Sequence, residues 1–272
     1  MFVWAESQST PVIALLGFAF CYGLTALIFV ALKASSRCHF VLILSPITPS
    51  ILSPLGTITG LLIAFLAVRV WTNFDNAGVY IAKEAGAVRE AVVLADMLPG
   101  ATGNEVCSAA NTYLAFAETE DWPAMAEGRA NLRRLPPGLP GAIRSLMAFA
   151  PASEGQKIAQ QRAIEAISQA LEARSNRILL SEASIEPIQW IAILISYGLM
   201  LVTLAIVHID RPWTAAFAML IVSTAVGAAL VLLVDYDRPF GSGGIKLAPV
   251  ALREIEGGDR LRSPIDLCNS TG

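Results

Sequence analysis

The run ILSPLGTITGLLIAFLAVRV, residues 51–70, holds twenty residues with a single charge, Arg69, near its end. As a helix it rises about 30 Å, the thickness of bilayer hydrocarbon, so it reads as a membrane span. Three further stretches have the same character: residues 11–32, 187–208 and 212–234. They flank a polar segment, residues 71–186, two on each side. The chain therefore reads as four regions: spans 1 and 2 in residues 1–70, a helical region in 71–186, spans 3 and 4 in 187–234, and a tail in 235–272.

Composition agrees. Hydrophobic residues make up 55% of the chain and charged ones 15%, and the apolar excess is concentrated in the four stretches rather than spread at core periodicity. Only Glu6 carries charge before the first stretch, and no basic segment precedes it, so that stretch reads as a retained span and not a secretory leader. A net charge of −3 gives no attraction for nucleic acid. Cys21, Cys38, Cys107 and Cys268 are scattered with no metal-ligand spacing, so free thiols are expected and no metal is.

Four spans put both termini and the 71–186 segment on one side of the membrane. That side offers Arg69, Lys83, Arg89, Arg174, Arg177, Arg238, Lys246 and Arg253, whereas the short connections offer Lys33, Arg37 and Arg211. The basic excess predicts a cytoplasmic location for both termini and the insert.

The insert reads as helical. Ala77, Ile81, Val88, Val92 and Ala95 recur every three or four residues, and Pro99-Gly100 stops that helix. A second helix is expected over 104–119 and a third over 123–135, opened by Pro123. Residues 136–141 form a loop, and a long amphipathic helix covers 154–184. No useful alternating pattern occurs, so the fold class is all-α: a four-span bundle with a cytosolic helical insert.

Local chemistry has plain readings. Gly56, Gly60 and Ala64 permit close approach of another helix. Ser53 and Thr57 either line a pore or hydrogen-bond within their own helix. Trp71, Trp190 and Trp213 fall at span ends as interfacial anchors. His39 and His208 read as solvated loop residues, with proton sensing as the alternative. Glu118, Glu120 and Asp121 complement the positive end of the helix that follows, or bind a cation. No nucleophile elbow, phosphate loop or paired-histidine motif occurs, so no enzyme activity and no cofactor are expected.

Three patches carry a family resemblance. Gly60 is followed nine residues later by Arg69, then by Trp71, Phe74, Asp75 and Asn76. This resembles the end of the pore-lining second helix of bestrophins. Pro239-Phe240-Gly241, after the fourth span, is similar to a turn that bestrophins carry at the same point. Glu120-Asp121-Trp122-Pro123 resembles a segment of the large bacterial bestrophin-like family, whose function is unassigned.

The resemblance implies a homo-oligomer, a pentamer, embedded in membrane lipid, with a central path for a small ion. Ser53, Thr57, Gly60 and Leu61 would face its axis. Arg69, Trp71, Phe74, Asp75 and Asn76 would form the inner mouth, with Arg69 either reaching the headgroups or pairing with a carboxylate such as Asp75 of a neighbouring chain. Two departures stand out. Bestrophins place three apolar residues where this chain has Ser53, Thr57 and Leu61. The acidic run that follows the turn in animal bestrophins is Ser242-Gly243-Gly244-Ile245 here, too poor in carboxylates for a calcium clasp. The alternative expectation is a non-conducting scaffold or sensor whose cytosolic helices bind a partner.

Overall fold

The computed structural model describes residues 9–35, 48–241 and 247. Arg37, His39, the Ser242 to Ile245 stretch, Lys246 and the tail after Pro249 lie outside the described residues. Among the described residues the chain is all helical: α1 Thr10–Ser35, α2 Thr48–Ala95, α3 Gly100–Phe116, a π-helical turn Ala117–Asp121, α4 Trp122–Ala126, α5 Leu139–Ala148, α6 Glu154–Glu182, α7 Pro187–Val207 and α8 Pro212–Tyr236. The chain forms two compact units, and α2 contributes to both.

The first unit contains α1, the first half of α2, α7 and α8. All four helices are long and apolar enough to cross a membrane. More than half of the most apolar window of α7 is buried (56%), against 11% for α1 and α2, so α7 is the central helix of this unit. Its start is built by a capping box in which Glu186 and Gln189 each satisfy a backbone N–H, with Pro187 as first helical residue. Cys21, Leu66, Ile193, Tyr197, Leu201, Met219 and Leu233 form the core. Trp190 is buried in that core, which corrects its reading as an interfacial anchor.

Hydroxyls stitch the apolar helices together. The Tyr197 hydroxyl donates to Ser223 Oγ at 2.7 Å, and Thr25 Oγ1 meets the same atom. Buried Thr59 on α2 pairs with Ser196 on α7 at 2.6 Å. Bonds of this kind are retained because hydrocarbon offers a polar group no other partner. The α1–α8 seam is the tightest: a Cβ on Gly17 would lie 2.8 Å from Val231, and one on Gly227 would lie 3.0 Å from the Phe18 ring.

The second unit comprises the second half of α2 with α3 to α6 and the Pro239–Gly241 turn. Its core is alanine-rich, with Ala91, Ala95, Ala109, Ala110, Ala163 and Ala170 allowing helix backbones to approach. Two features depart from the sequence reading. The helix expected over 123–135 ends at Ala126, where Gly128 turns the chain with φ +65°. The loop expected over 136–141 instead leads into α5, which begins at Leu139 with Pro140 in its first turn. Gly138 makes that packing possible: its φ is +86°, and a Cβ there would meet the Ala109 carbonyl oxygen at 2.4 Å. Gln160 Nε2 then donates to the carbonyl of Phe149 at 2.9 Å, tying the end of α5 to α6. Cys107 is disulfide-bonded, which corrects the expectation of a free thiol there, whereas Cys21 is free and buried.

The α1–α8 seam predicts a position-specific response to bulk. Gly17→Leu should lower stability in detergent by about 1–3 kcal/mol through overpacking. Gly23→Leu, where nothing lies within 4 Å, should stay within about 0.5 kcal/mol of the parent. Thermal melts of both variants check this.

Candidate functional site

α2 presents two unlike faces along its apolar half. Thr59, Leu66 and Val70 are buried against the rest of the unit. Ser53, Thr57, Gly60, Leu61 and Ala64, at helical spacing on another side, are exposed. Leu61 is 50% accessible, and nothing lies within 4 Å of a Cβ built on Gly56 or Gly60. Among the described residues no helix of the same chain therefore closes on this Gly56–Gly60 face. Thr57 Oγ1 donates to the Ser53 carbonyl at 3.1 Å, so the local hydrogen bond expected of a membrane threonine is made. That bond leaves the oxygen lone pairs of Thr57 on the exposed surface.

Farther along α2, Arg69 is exposed and donates to Gln189 Oε1 at 3.2 Å, placing its charge beside the capping box of α7. Trp71 is exposed and stacks on Tyr236 of α8, with ring centroids 6.0 Å apart. Phe74 is half-buried, and Asp75 and Asn76 are exposed. Among the turn residues, Phe240 is buried and meets Trp122 edge-on at 5.7 Å, and the Pro239 carbonyl accepts from the Leu247 N–H at 2.8 Å. Gly241 is half-buried.

The strongest electrostatic feature is one the sequence reading did not assemble. Arg177 and Glu84 are both 0% accessible and form a bidentate pair: Nε to Oε2 at 2.6 Å and Nη2 to Oε1 at 2.9 Å. Arg174 makes the same fork with Asp121, at 2.7 and 2.9 Å. Arg177 Nη2 lies 3.6 Å from Asp121, which links the two pairs. The Tyr113 hydroxyl donates to Glu84 Oε1 at 2.6 Å, and the Trp122 ring lies 4.8 Å beneath the Arg177 guanidinium. Two cations and two anions balance, so the cluster is buried without net charge.

Each element supplies what the cluster needs. The π-helical turn widens the helix by one residue and delivers Asp121 to the inside. This corrects the reading of the acidic residues before Trp122: Asp121 holds Arg174, and Glu120 holds Arg134 at 2.8 Å. Arg174 and Arg177, one turn apart on α6, are internal rather than at a headgroup surface. A signal was available: Glu84 occupies the apolar stripe between Ile81 and Val88, and both arginines sit on the stripe of Ile167, Ala170 and Ile178. Charges on an otherwise buried face need partners.

Burial opposes the charge on Arg177, yet Glu84 outweighs it and holds the guanidinium more firmly protonated than usual. Burial first, then the charge of Glu84, pushes the Tyr113 phenol well above its ordinary range. Among the described residues no group of three or more His, Cys, Asp or Glu side chains could hold a metal. His208, at the end of α7, turns Nδ1 toward the Leu204 carbonyl at 3.1 Å.

Comparison with known proteins sets this architecture in context. Residues 13–252 match the bestrophin-like domain family. Crystal structures of two point variants of a bacterial bestrophin homologue from Klebsiella pneumoniae superpose with TM-scores of 0.67 and 0.68 at 15% identity. The alignments cover 94% and 93% of this chain and 99% of each of those chains. A third variant of the same homologue gives a TM-score of 0.66 at 16% identity. No curated protein matches the chain.

Breaking the cluster on one side should cost more than removing it. Arg177→Met strands Glu84 in the core and should lower stability by about 3–5 kcal/mol, and adding Glu84→Leu should recover much of that loss. Denaturant unfolding of the single and double variants checks the order. Tyr113 predicts an alkaline limit. The folded protein keeps the phenol protonated where the unfolded chain releases it near pH ~10. That contribution is complete below ~10 and is lost as pH rises toward the folded value. Tyr113→Phe should flatten the decline, read from melting temperature against pH.

Proposed function

Because the chain belongs to the bestrophin-like family, we propose that it assembles as a homo-oligomeric ring, a pentamer, whose α2 helices line an ion-conducting path across the bacterial inner membrane. Ser53, Thr57, Gly60 and Leu61 face the axis in this reading. Arg69 and Asp75, farther along the same helix, shape the inner mouth together with Trp71, Phe74 and Asn76. The termini and the helical insert lie in the cytoplasm, in keeping with the basic excess on that side.

The observation that carries the proposal is the exposed face of α2. A span surrounded only by lipid has no use for hydroxyls and a GxxxG pair on an open side. A water-filled axis and a neighbouring copy have a use for both. Hydroxyls at positions 53 and 57 make the neck wetter than an apolar constriction, which gates by dewetting, so this conduit is expected to lack a strong hydrophobic gate. The absence of carboxylates over residues 242–245 argues against calcium control.

A non-conducting scaffold or sensor is the second reading. It is favoured by α2, which runs unbroken from the apolar face into the helical insert and could carry a signal without an ion.

Flux from proteoliposomes separates the two. The parent protein should conduct above protein-free vesicles, and Thr57→Trp should reduce flux at least tenfold while leaving assembly size unchanged. No flux from the parent, or flux unaffected by the tryptophan, overturns conduction along this face.

A further inference from the structure

Within the second unit, α3 and α5 leave an open groove between them, a cavity of about 680 Å³. Its floor is buried Ala109 and Ala142, and the two helices meet so closely there because Gly138 packs on the Ala109 carbonyl. Glu105 lines the groove from α3 and Arg144 lines it from α5. Both side chains are exposed. Among the described residues neither has a hydrogen-bond or ion-pair partner, and they do not pair with each other across the groove.

The lining asks for a ligand with a charge of each sign. The guanidinium of Arg144 offers a planar fork that fits a carboxylate, and the Glu105 carboxylate accepts from an ammonium. Thr112 Oγ1, also in the lining, spends its hydrogen on the Ser108 carbonyl at 2.8 Å, so toward the groove it can only accept. A free amino acid carries both charges but holds them one carbon apart and would leave most of the cavity empty. A chain of two or three residues separates its ends by about 3.5 Å per residue and brings amide N–H groups for Thr112. Nothing lies within 4 Å of a Cβ built on Gly141, which leaves room for a peptide backbone to lie along α5. A nucleotide or a fatty acid would bring no cation for Glu105.

We propose that this groove binds a short peptide with free termini, of two or three residues. Its ammonium lies at Glu105, its carboxylate lies at Arg144, and an amide N–H donates to Thr112 Oγ1. Recognition rests on the termini and the backbone, so it is tolerant of side chains. The site belongs to the second unit and does not depend on whether the protein conducts.

The test uses the full chain in nanodiscs with trialanine as the probe, titrated through the millimolar range and read by saturation-transfer NMR. The parent should bind trialanine saturably, and acetylating its amino end or amidating its carboxyl end should each weaken binding about fivefold, as for loss of one solvent-exposed ion pair. Arg144→Gln should weaken trialanine by the same factor yet bind the amide as the parent does, a pattern that general damage to the fold would not give. Gly141→Trp, which fills the groove from its open side, should abolish binding and is the deciding variant if Arg144→Gln cannot be purified. No saturable binding by the parent, equal affinity for the free and blocked peptides, or parent-level affinity for trialanine in the deciding variant overturns the site.

Discussion

Two arginines and two carboxylates, all withdrawn from water, set the terms on which the helical insert can fold. Each ion loses several kcal/mol of hydration on burial, and only near-ideal hydrogen bonding returns it. That requirement fixes four elements at once: Glu84 commits α2, Tyr113 commits α3, Asp121 commits the π-helical turn, and Arg174 with Arg177 commits α6. An alanine-rich core packs closely but discriminates poorly between helix registers, since one alanine resembles the next. The ionic cluster supplies the discrimination, because a shift of a single residue on α2, the π-helical turn or α6 would leave a charge unpaired, and one on α3 would take the Tyr113 hydroxyl from Glu84.

The membrane unit solves the complementary problem. Its core is apolar, yet its helices cannot be held together by the hydrophobic effect once their surroundings are lipid. Here the tight α1–α8 seam around Gly17 and Gly227 and the hydroxyl contacts of Thr25, Tyr197, Ser223, Thr59 and Ser196 take over. α7 sits at the centre because it is the helix with least surface left to offer. α2 is the opposite, committed on one side through Thr59 and Leu66 and open on the other.

The spans are legible in the sequence because twenty apolar residues in a row have few other uses. The first half of the insert is nearly as legible, since Ala77, Ile81, Val88, Val92 and Ala95 repeat at helical period. Legibility fails where a residue acts through a distant partner. Glu84 and Arg177 are 93 positions apart, and neither announces the other. Asp121 looks like part of an exposed acidic group because an α-helical count puts it beside Glu118 and Glu120, and only the widened turn sends it inward. α5 is missed for a related reason: prolines and glycines over 136–141 read as loop, although Pro140 opens a helix and Gly138 brings it onto α3. Of the proposed axial residues, the sequence shows their chemistry and their common face, while their exposure follows from which helices the chain leaves unpacked.

The π-helical turn over Ala117–Asp121 has a consequence for how this chain tolerates change in length. Such a turn holds one residue more than the α-helix around it. Losing any single residue there lets the helix close to ordinary geometry without breaking, which makes the loss sterically easy. Because the turn absorbs the extra residue, Trp122 and Met125 keep their register after such a loss, whereas the residues within the turn return to α-helical positions and the placement by which Asp121 holds Arg174 is given up. The sequences able to keep this insert are therefore bounded by spacing as firmly as by residue type.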